Sequence, residues 1–105
     1  GQYLRGAVCR QRYEVSRRAE WESRNSGVSL ADVGHTLLGG EIIESDPEDP
    51  RGPSHLVGGY APNGKPVHVV VGFLPAGWVR VIAVYVPSAE RWDSDWKMRK
   101  GSDQP

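Results

Sequence analysis

Two side chains that can transfer protons stand alone in the most apolar part of the chain. His68 lies in the run 66–73, and Tyr85 lies in the run 78–86. A polar group buried in an apolar strand destabilises the fold unless it is hydrogen-bonded, so both residues need an explanation. An imidazole titrates near neutral pH, and a phenol donates hydrogen bonds and stacks on bases. The pair could therefore move protons on a substrate.

Arginine side chains supply the cationic groups that such chemistry needs. Residues 1–25 contain six Arg and three Glu, and Arg91 follows the last apolar run. A guanidinium can hold a phosphate and stabilise the charge that develops on it. With His68 and Tyr85, this set is sufficient for metal-independent RNA cleavage, in which the 2′-hydroxyl of the RNA attacks the phosphate. A histidine and a tyrosine on a half-exposed sheet face also occur in proteins where they have no function, so a purely structural role stays open.

Other chemistries lack their sequence signatures. The chain has no P-loop, dinucleotide fingerprint, zinc-ligand spacing or Gly-x-Ser-x-Gly elbow. Cys9 is the only cysteine, which excludes an internal disulfide and a cysteine-based zinc site. We therefore expect no metal and no small-molecule cofactor.

The bulk properties predict one small domain. The chain has 105 residues, and its 13 Lys and Arg balance its 13 Asp and Glu. We expect a single domain over residues 1–95 and a charged, frayed tail over 96–105. No apolar run is long enough to cross a membrane, so we expect a cytoplasmic protein without membrane contact.

The spacing of apolar residues predicts helices first and strands afterwards. Helices are expected over residues 2–10 and 17–25, and a third helix begins after Ser29, which forms a capping-box pattern with Asp32. Residues 13–15 are too short to assign. Strands are expected at 41–44, 54–61, 66–73 and 78–86. The predicted fold is α+β, with two to three N-terminal helices packed on one face of a four-stranded antiparallel sheet.

The two hairpin turns predict which side chains share a face of the sheet. If both turns are tight, His68 lies opposite Gly59 and Ala83, and Tyr85 is its diagonal neighbour, about 7–8 Å away on the same face. A slip of one residue in either turn would exchange the faces. The face expected to form a shallow, partly open site carries His55, Val57, Gly59, His68, Val70, Gly72, Val79, Val81, Ala83 and Tyr85. The face expected to pack against the helices carries Leu56, Tyr60, Val67, Val69, Val71, Phe73, Ile82 and Val84.

Several segments resemble the bacterial family called domain of unknown function 4258. The resemblance covers residues 12–95 and rests on the segments 27–33, 40–44, 49–54, 66–70 and 84–92. It implies a RelE/barnase-like fold and a toxin-like endoribonuclease from a bacterial toxin–antitoxin pair. It also implies two partners, RNA and an antitoxin-like zinc-finger protein.

The family motifs carry over residue by residue to part of the candidate site. The resemblance implies catalytic roles for His68 and Tyr85, and RNA or phosphate contacts for Arg51, Arg91 and Trp92. The helical motif departs from the family pattern His-Ala-x-x-Arg-x-x-x-Arg-Gly. Arg18 replaces the histidine, and Glu22 and Ser26 replace the two arginines.

Those departures leave several interpretations open. The chain could be a divergent member or a detoxified variant with impaired catalysis. In a third interpretation, Arg17, Arg18 and Arg24 keep the phosphate contact while the chemistry rests on His68 and Tyr85. We expect a catalytic set of His68, Tyr85 and Arg18. A different class of function is a non-catalytic module that docks a zinc-finger protein partner through the sheet edge or the same face. A weaker alternative is a protein that binds RNA without cleaving it.

Overall fold

The fold contains three helices and a five-stranded sheet. The computed structural model describes residues 2–101, except for the side chains of residues 2 and 3. A 3-10 turn over Pro75–Gly77 connects the last two strands. The elements in chain order are α1 (Gln2–Cys9), β1 (Tyr13–Val15), α2 (Arg17–Ser26), α3 (Leu30–Gly39), β2 (Glu41–Asp46), β3 (Ser54–Tyr60), β4 (Pro66–Phe73) and β5 (Val79–Tyr85).

The helices begin and end at residues that satisfy their exposed backbone groups. The hydroxyl of Ser29 accepts a hydrogen bond from the Asp32 amide at 3.0 Å, and the Asp32 carboxylate accepts one from the Ser29 amide at 3.1 Å. This confirms the predicted capping box. The Ser16 hydroxyl caps α2 by accepting a hydrogen bond from the Ala19 amide, and Gly27 ends this helix with a φ of 74°. The three predicted helices are confirmed.

The sheet has one strand more than predicted and is mixed. Its strand order is β1-β5-β4-β3-β2, and β1 pairs with β5 in parallel through Tyr13 with Val79 and Val15 with Val81. The prediction of four strands, all antiparallel, is therefore wrong. Three residues show too little periodicity to predict a strand. Pairing with the edge of β5 holds β1 in place. Directly after β1, the Ser16 amide donates to the Val81 carbonyl at 2.9 Å.

The helices cover one face of the sheet and enclose the core. The strands contribute mainly valines to this core, because alternate residues of a strand point to the same face. Its fully buried members from the sheet are Val57, Val67, Val69, Val71, Val79, Val81 and Val84, and its buried helical members include Leu4, Ala7, Ala19, Val33 and Leu37.

Both hairpins differ from the predicted register. The first loop contains three residues, 62–64, because the Ala61 amide donates to the Lys65 carbonyl at 2.9 Å. His68 therefore lies opposite Gly58. A three-residue turn and a bulge shift the second hairpin, so that Tyr85 lies directly opposite His68 rather than diagonal to it.

These shifts change the membership of the two faces. Five residues belong to the helix-packed side. His55, Val57, Gly59 and Val81 pair with buried core valines, and Val79 is itself a core residue. The predicted placement of these five residues beside His68 is wrong. Leu56 and Ile82, which were expected in the core, lie on the His68 face instead. The shared face of His68 and Tyr85 is confirmed.

The chain after β5 folds back over the His68 face. Within this C-terminal segment (residues 87–101), Trp92 forms a bridge with Arg99, and the Lys100 amide donates to the Arg91 carbonyl at 2.7 Å. Lys97 pairs with Glu41 on β2 at 2.6 Å. Residues 96–101, which we expected to be frayed, are thus bonded to the sheet, and residues 102–105 of the predicted tail lie outside the described residues. None of the helices in residues 2–101 is long and apolar enough to cross a membrane.

Candidate functional site

His68 is fully buried, and both of its ring nitrogens are hydrogen-bonded. Nδ1 lies 3.0 Å from the Tyr85 hydroxyl oxygen, and Nε2 lies 2.7 Å from the Trp96 carbonyl oxygen. Because a carbonyl only accepts, Nε2 must carry the proton of the neutral ring. Nδ1 then accepts the hydroxyl proton of Tyr85, which assigns both the tautomer and the direction of the bond.

Aromatic rings enclose the imidazole from two sides. The Trp92 ring meets it edge-on at 4.4 Å between centroids, and Trp92 is only 3% exposed. The Tyr85 ring meets it at 5.1 Å. Gly58, opposite His68, leaves room for the ring, since a Cβ there would lie 3.6 Å from the imidazole and 3.2 Å from Ile43. The expected open hollow is therefore wrong for His68, which is enclosed on this face.

Burial keeps both groups of this pair uncharged at neutral pH. Burial lowers the pKa of His68 below its ordinary value of 6.5, an effect that the hydrogen bond to Trp96 opposes. Burial also raises the pKa of Tyr85 above its ordinary value of 10.0. The pair is thus a neutral phenol that donates to a neutral imidazole.

Tyr85 lines a cavity of about 240 Å³ on the same face, which we call the tyrosine cavity. Leu56 and Val70 supply the apolar part of its lining. Its polar part combines three carboxylates with two arginines and two hydroxyls: Glu44, Asp46, Asp49, Arg51, Arg99, Ser45 and Ser54.

Arg51 is fixed in this cavity by a buried carboxylate. Its Nε and Nη2 donate to the two oxygens of Asp49 at 3.0 and 2.8 Å, and the Ser54 hydroxyl donates to Asp49 at 2.8 Å. These bonds hold the pKa of Asp49 far below its usual range. The Arg51 side chain remains 48% exposed, so a rigid guanidinium faces the cavity. The family resemblance implies a phosphate contact for Arg51, and that role stays a prediction.

Arg99 lines the tyrosine cavity as well, and sequence reasoning missed it. It donates to both oxygens of Glu44, at 2.7 and 3.0 Å, and its guanidinium lies 4.7 Å from the centre of the Trp92 ring. Nothing in the local sequence distinguishes Arg99 from the other charges near the C-terminal end. Only the folding back of the C-terminal segment brings it to the sheet.

A second cavity of about 330 Å³ adjoins the first on the same face, and we call it the arginine cavity. Arg51 lines both cavities. Arg18 and Arg80 complete the cationic lining, held by ion pairs with Glu22 at 3.3 Å and Glu14 at 2.6 Å. The remaining lining residues are mostly apolar or small: Ser16, Gly52, Pro53, Gly72, Phe73, Leu74 and Ile82.

The other four predicted contact residues do not line the tyrosine cavity, although Trp92 packs on His68. Arg17 is exposed at the start of α2 and is not among the residues that line either cavity. Arg24 pairs with Glu20 at 3.6 Å and lines a separate groove beside Leu30. Arg91 is exposed on the C-terminal segment, and Trp92 is buried against His68 rather than facing solvent. The structure thus brings together His68, Tyr85, Arg51 and, one cavity away, Arg18.

The departures in the helical motif have structural roles of their own. The Glu22 carboxylate accepts a hydrogen bond from the Val84 amide at 3.0 Å, on the edge of β5 beyond the end of β1. An arginine at this position could not accept that bond. Ser26 donates to the Ser23 carbonyl at 3.3 Å, and its own carbonyl accepts from Lys65 at 3.1 Å.

Residues 2–101 contain no group of three or more His, Cys, Asp or Glu side chains that could hold a metal ion. Residues 15–86 match the model of the family described as Domain of unknown function (DUF4258). The match extends from the end of β1 to the residue after β5, and therefore includes the Tyr85–His68 pair and Arg51. No curated protein and no solved structure matches the chain.

Proposed function

This chain belongs to the DUF4258 family, and from that starting point we propose that it is a toxin-like, metal-independent endoribonuclease of a bacterial toxin–antitoxin pair. The observation that supports this proposal best is the hydrogen bond from Tyr85 to the buried His68, at the wall of a cavity that also presents Arg51. Helices on one face of the sheet and candidate residues on the other match the layout expected of a RelE/barnase-like ribonuclease.

In the proposed reaction, Tyr85 and His68 relay one proton. The Tyr85 oxygen takes the proton of the ribose 2′-hydroxyl while its own proton moves to His68 Nδ1. The 2′-oxygen bonds to phosphorus, and the bond from phosphorus to the 5′-oxygen breaks. The proton then returns from His68 through Tyr85 to the departing 5′-oxygen, leaving a 2′,3′-cyclic phosphate and a 5′-hydroxyl.

The surroundings of the pair favour this relay. His68 is neutral and can accept a proton, and the Trp96 carbonyl accepts from Nε2 in both the neutral and the charged ring. Arg51, held by Asp49, would stabilise the negative charge on the phosphate oxygens without having to reorganise. In this proposal, Arg18 contacts the same phosphate from the adjoining cavity.

Incubation of the purified chain with end-labelled single-stranded RNA in excess EDTA tests the proposal. We expect products with 2′,3′-cyclic phosphate ends. A double variant, Arg18→His with Ser26→Arg, restores two family residues and keeps Glu22, whose carboxylate the Val84 amide needs. If neither the natural sequence nor this variant cleaves RNA while both remain folded, the endoribonuclease proposal is wrong.

A second candidate is a non-catalytic module that docks an antitoxin-like zinc-finger protein. One observation favours it: β2 is an outer strand of the described sheet, and Ile42 on β2 is 39% exposed. An exposed strand edge can accept a strand from another protein. Protection of the β2 amides from hydrogen exchange by such a partner, without RNA cleavage, would favour this candidate over the first.

A further inference from the structure

We infer that the arginine cavity binds a ribonucleotide, with its phosphate held by the three arginines and its base on the apolar floor. The inference rests on the proposed function in one respect, since it makes this cavity the subsite for the nucleotide next to the cleaved bond. Binding of a free nucleotide is nevertheless measurable without any cleavage.

Charge distinguishes the arginine cavity from its neighbour. Its lining contains Arg18, Arg51 and Arg80 and no acidic residue, whereas three carboxylates face the tyrosine cavity. The acids that pair with Arg18 and Arg80 hold these side chains from outside the lining. The three arginine side chains are 66%, 48% and 51% exposed, which leaves guanidinium surface for a ligand. Guanidinium groups bind phosphate oxygens in pairs, so a phosphate is the anion this arrangement fits.

The floor of the cavity is largely apolar, and Gly72 adds no side chain to it. A Cβ on Gly72 would lie 3.4 Å from the end of Ile82. Pro53 and Leu74 extend the apolar surface. A volume of about 330 Å³ is within the range of small-molecule sites, which combine apolar walls with a few polar groups. An apolar surface beside a phosphate site suits a nucleobase, whereas inorganic phosphate would leave it uncovered.

The shared residue Arg51 links this cavity to the proposed chemistry. Since Arg51 lines both cavities, a phosphate bound to it lies on the border between the apolar floor and Tyr85. A nucleotide whose base covers Gly72 would therefore place its phosphate toward the Tyr85–His68 pair. The ligand class is a ribonucleoside with a 3′-phosphate or a phosphodiester.

Amide chemical-shift titration of the full chain with adenosine 3′-monophosphate tests the inference. We expect shifts at the amides of Gly52, Gly72 and Ile82 that saturate with one site. Adenosine alone and inorganic phosphate alone should each bind at least about tenfold more weakly, since each lacks one half of the contacts. A short peptide of Asp and Glu, offered as an alternative anion, should bind no better than phosphate.

Two variants separate the parts of the site. Arg80→Gln should weaken nucleotide binding by about tenfold. Gly72→Ala should weaken the nucleotide and leave phosphate binding unchanged, because the added methyl group occupies only the floor. Arg5→Gln is the matched control: it removes the same charge from an exposed helical residue on α1, and it should change nothing.

The inference would be overturned if inorganic phosphate bound as tightly as adenosine 3′-monophosphate. It would also be overturned if the acidic peptide bound as tightly as the nucleotide. Chemical-shift changes on nucleotide binding that leave the amides of Gly72 and Ile82 unaffected would overturn it too, even if the chain cleaves RNA. Saturable nucleotide binding here, with no RNA cleavage by either the natural sequence or the Arg18→His, Ser26→Arg variant, would uphold the subsite and reject the endoribonuclease. Failure of the nucleotide subsite and failure of the endoribonuclease proposal therefore give different experimental results.

Discussion

The Tyr85 hydroxyl donates a hydrogen bond to Nδ1 of His68, its direct cross-strand neighbour, over 3.0 Å. The opposite ring nitrogen donates to the Trp96 carbonyl, so the imidazole is fixed at both ends. His68 is fully buried while Tyr85 reaches a cavity. Tyr85 is therefore the member of this pair that lines a cavity, and in the proposed relay His68 acts behind it.

Removal of the Tyr85 hydroxyl should weaken the fold slightly. In Tyr85→Phe, Nδ1 of the buried His68 loses its partner, and we expect a loss of about 1–2 kcal/mol in the free energy of unfolding. Tyr60→Phe is the control, because Tyr60 is 48% exposed and should change stability by less than about 0.5 kcal/mol. Chemical denaturation measures both. Equal stability of Tyr85→Phe and the parent would contradict the assigned hydrogen bond.

The buried His68 should make the protein less stable in mild acid. Its pKa in the folded state is lowered, so the unfolded chain binds a proton first as the pH falls below 6.5. Stability then decreases from that pH down to the folded pKa, by at most about 1.4 kcal/mol per pH unit. Denaturation at several pH values should show a smaller decrease for His68→Gln than for the parent. An NMR titration that gives the His68 imidazole a pKa above 6.5 in the folded protein would contradict this prediction.

Glu22 should stabilise the fold through its acceptor oxygen. Glu22→Ala leaves the Val84 amide without its partner, which should cost about 1–3 kcal/mol. Glu22→Gln keeps an acceptor oxygen and should cost less. Glu20→Ala serves as the control on the same helix, since Glu20 is exposed and holds only a surface ion pair with Arg24. The account is wrong if the two alanine variants unfold at the same denaturant concentration.

Trp92 should be the main anchor of the C-terminal segment. Trp92→Ala removes a ring that is 3% exposed and packs on His68, which should cost about 3–5 kcal/mol. It should also speed hydrogen exchange at the Asp93 and Lys100 amides, which hold the segment together. Trp21→Ala is the matched control, because Trp21 is 60% exposed. Unchanged exchange at both amides in Trp92→Ala would show that the segment is anchored elsewhere.

Local patterns were sufficient to predict most elements of this fold. Ser29 and Asp32 signalled a helix start because both capping bonds form within four residues. The apolar run around His68 predicted β4 with the bounds that the structure shows. In contrast, β1 is a strand because it pairs with Val79–Val81, which are distant in sequence. A pattern of three residues cannot predict such a pairing.

The composition of the site was harder to predict than its central pair. His68 and Tyr85 stood out as polar residues in apolar strands, and they share a face despite the shifted register. The other members of that face depended on the number of residues in two turns and on a bulge after Val70, which the sequence does not specify. Trp96 reaches His68, and Arg99 reaches Glu44, because the C-terminal segment folds back, a long-range effect without a local signal.

The most direct test of the central claim is the initial rate at which 2′,3′-cyclic phosphate ends form on single-stranded RNA in EDTA, compared between the parent and Tyr85→Phe. The relay through Tyr85 to His68 predicts a rate at least about 100-fold lower in the variant, with unchanged RNA affinity. Tyr60→Phe should cleave at the parental rate. Equal rates in the parent and Tyr85→Phe, at equal amounts of folded protein, would contradict the claim.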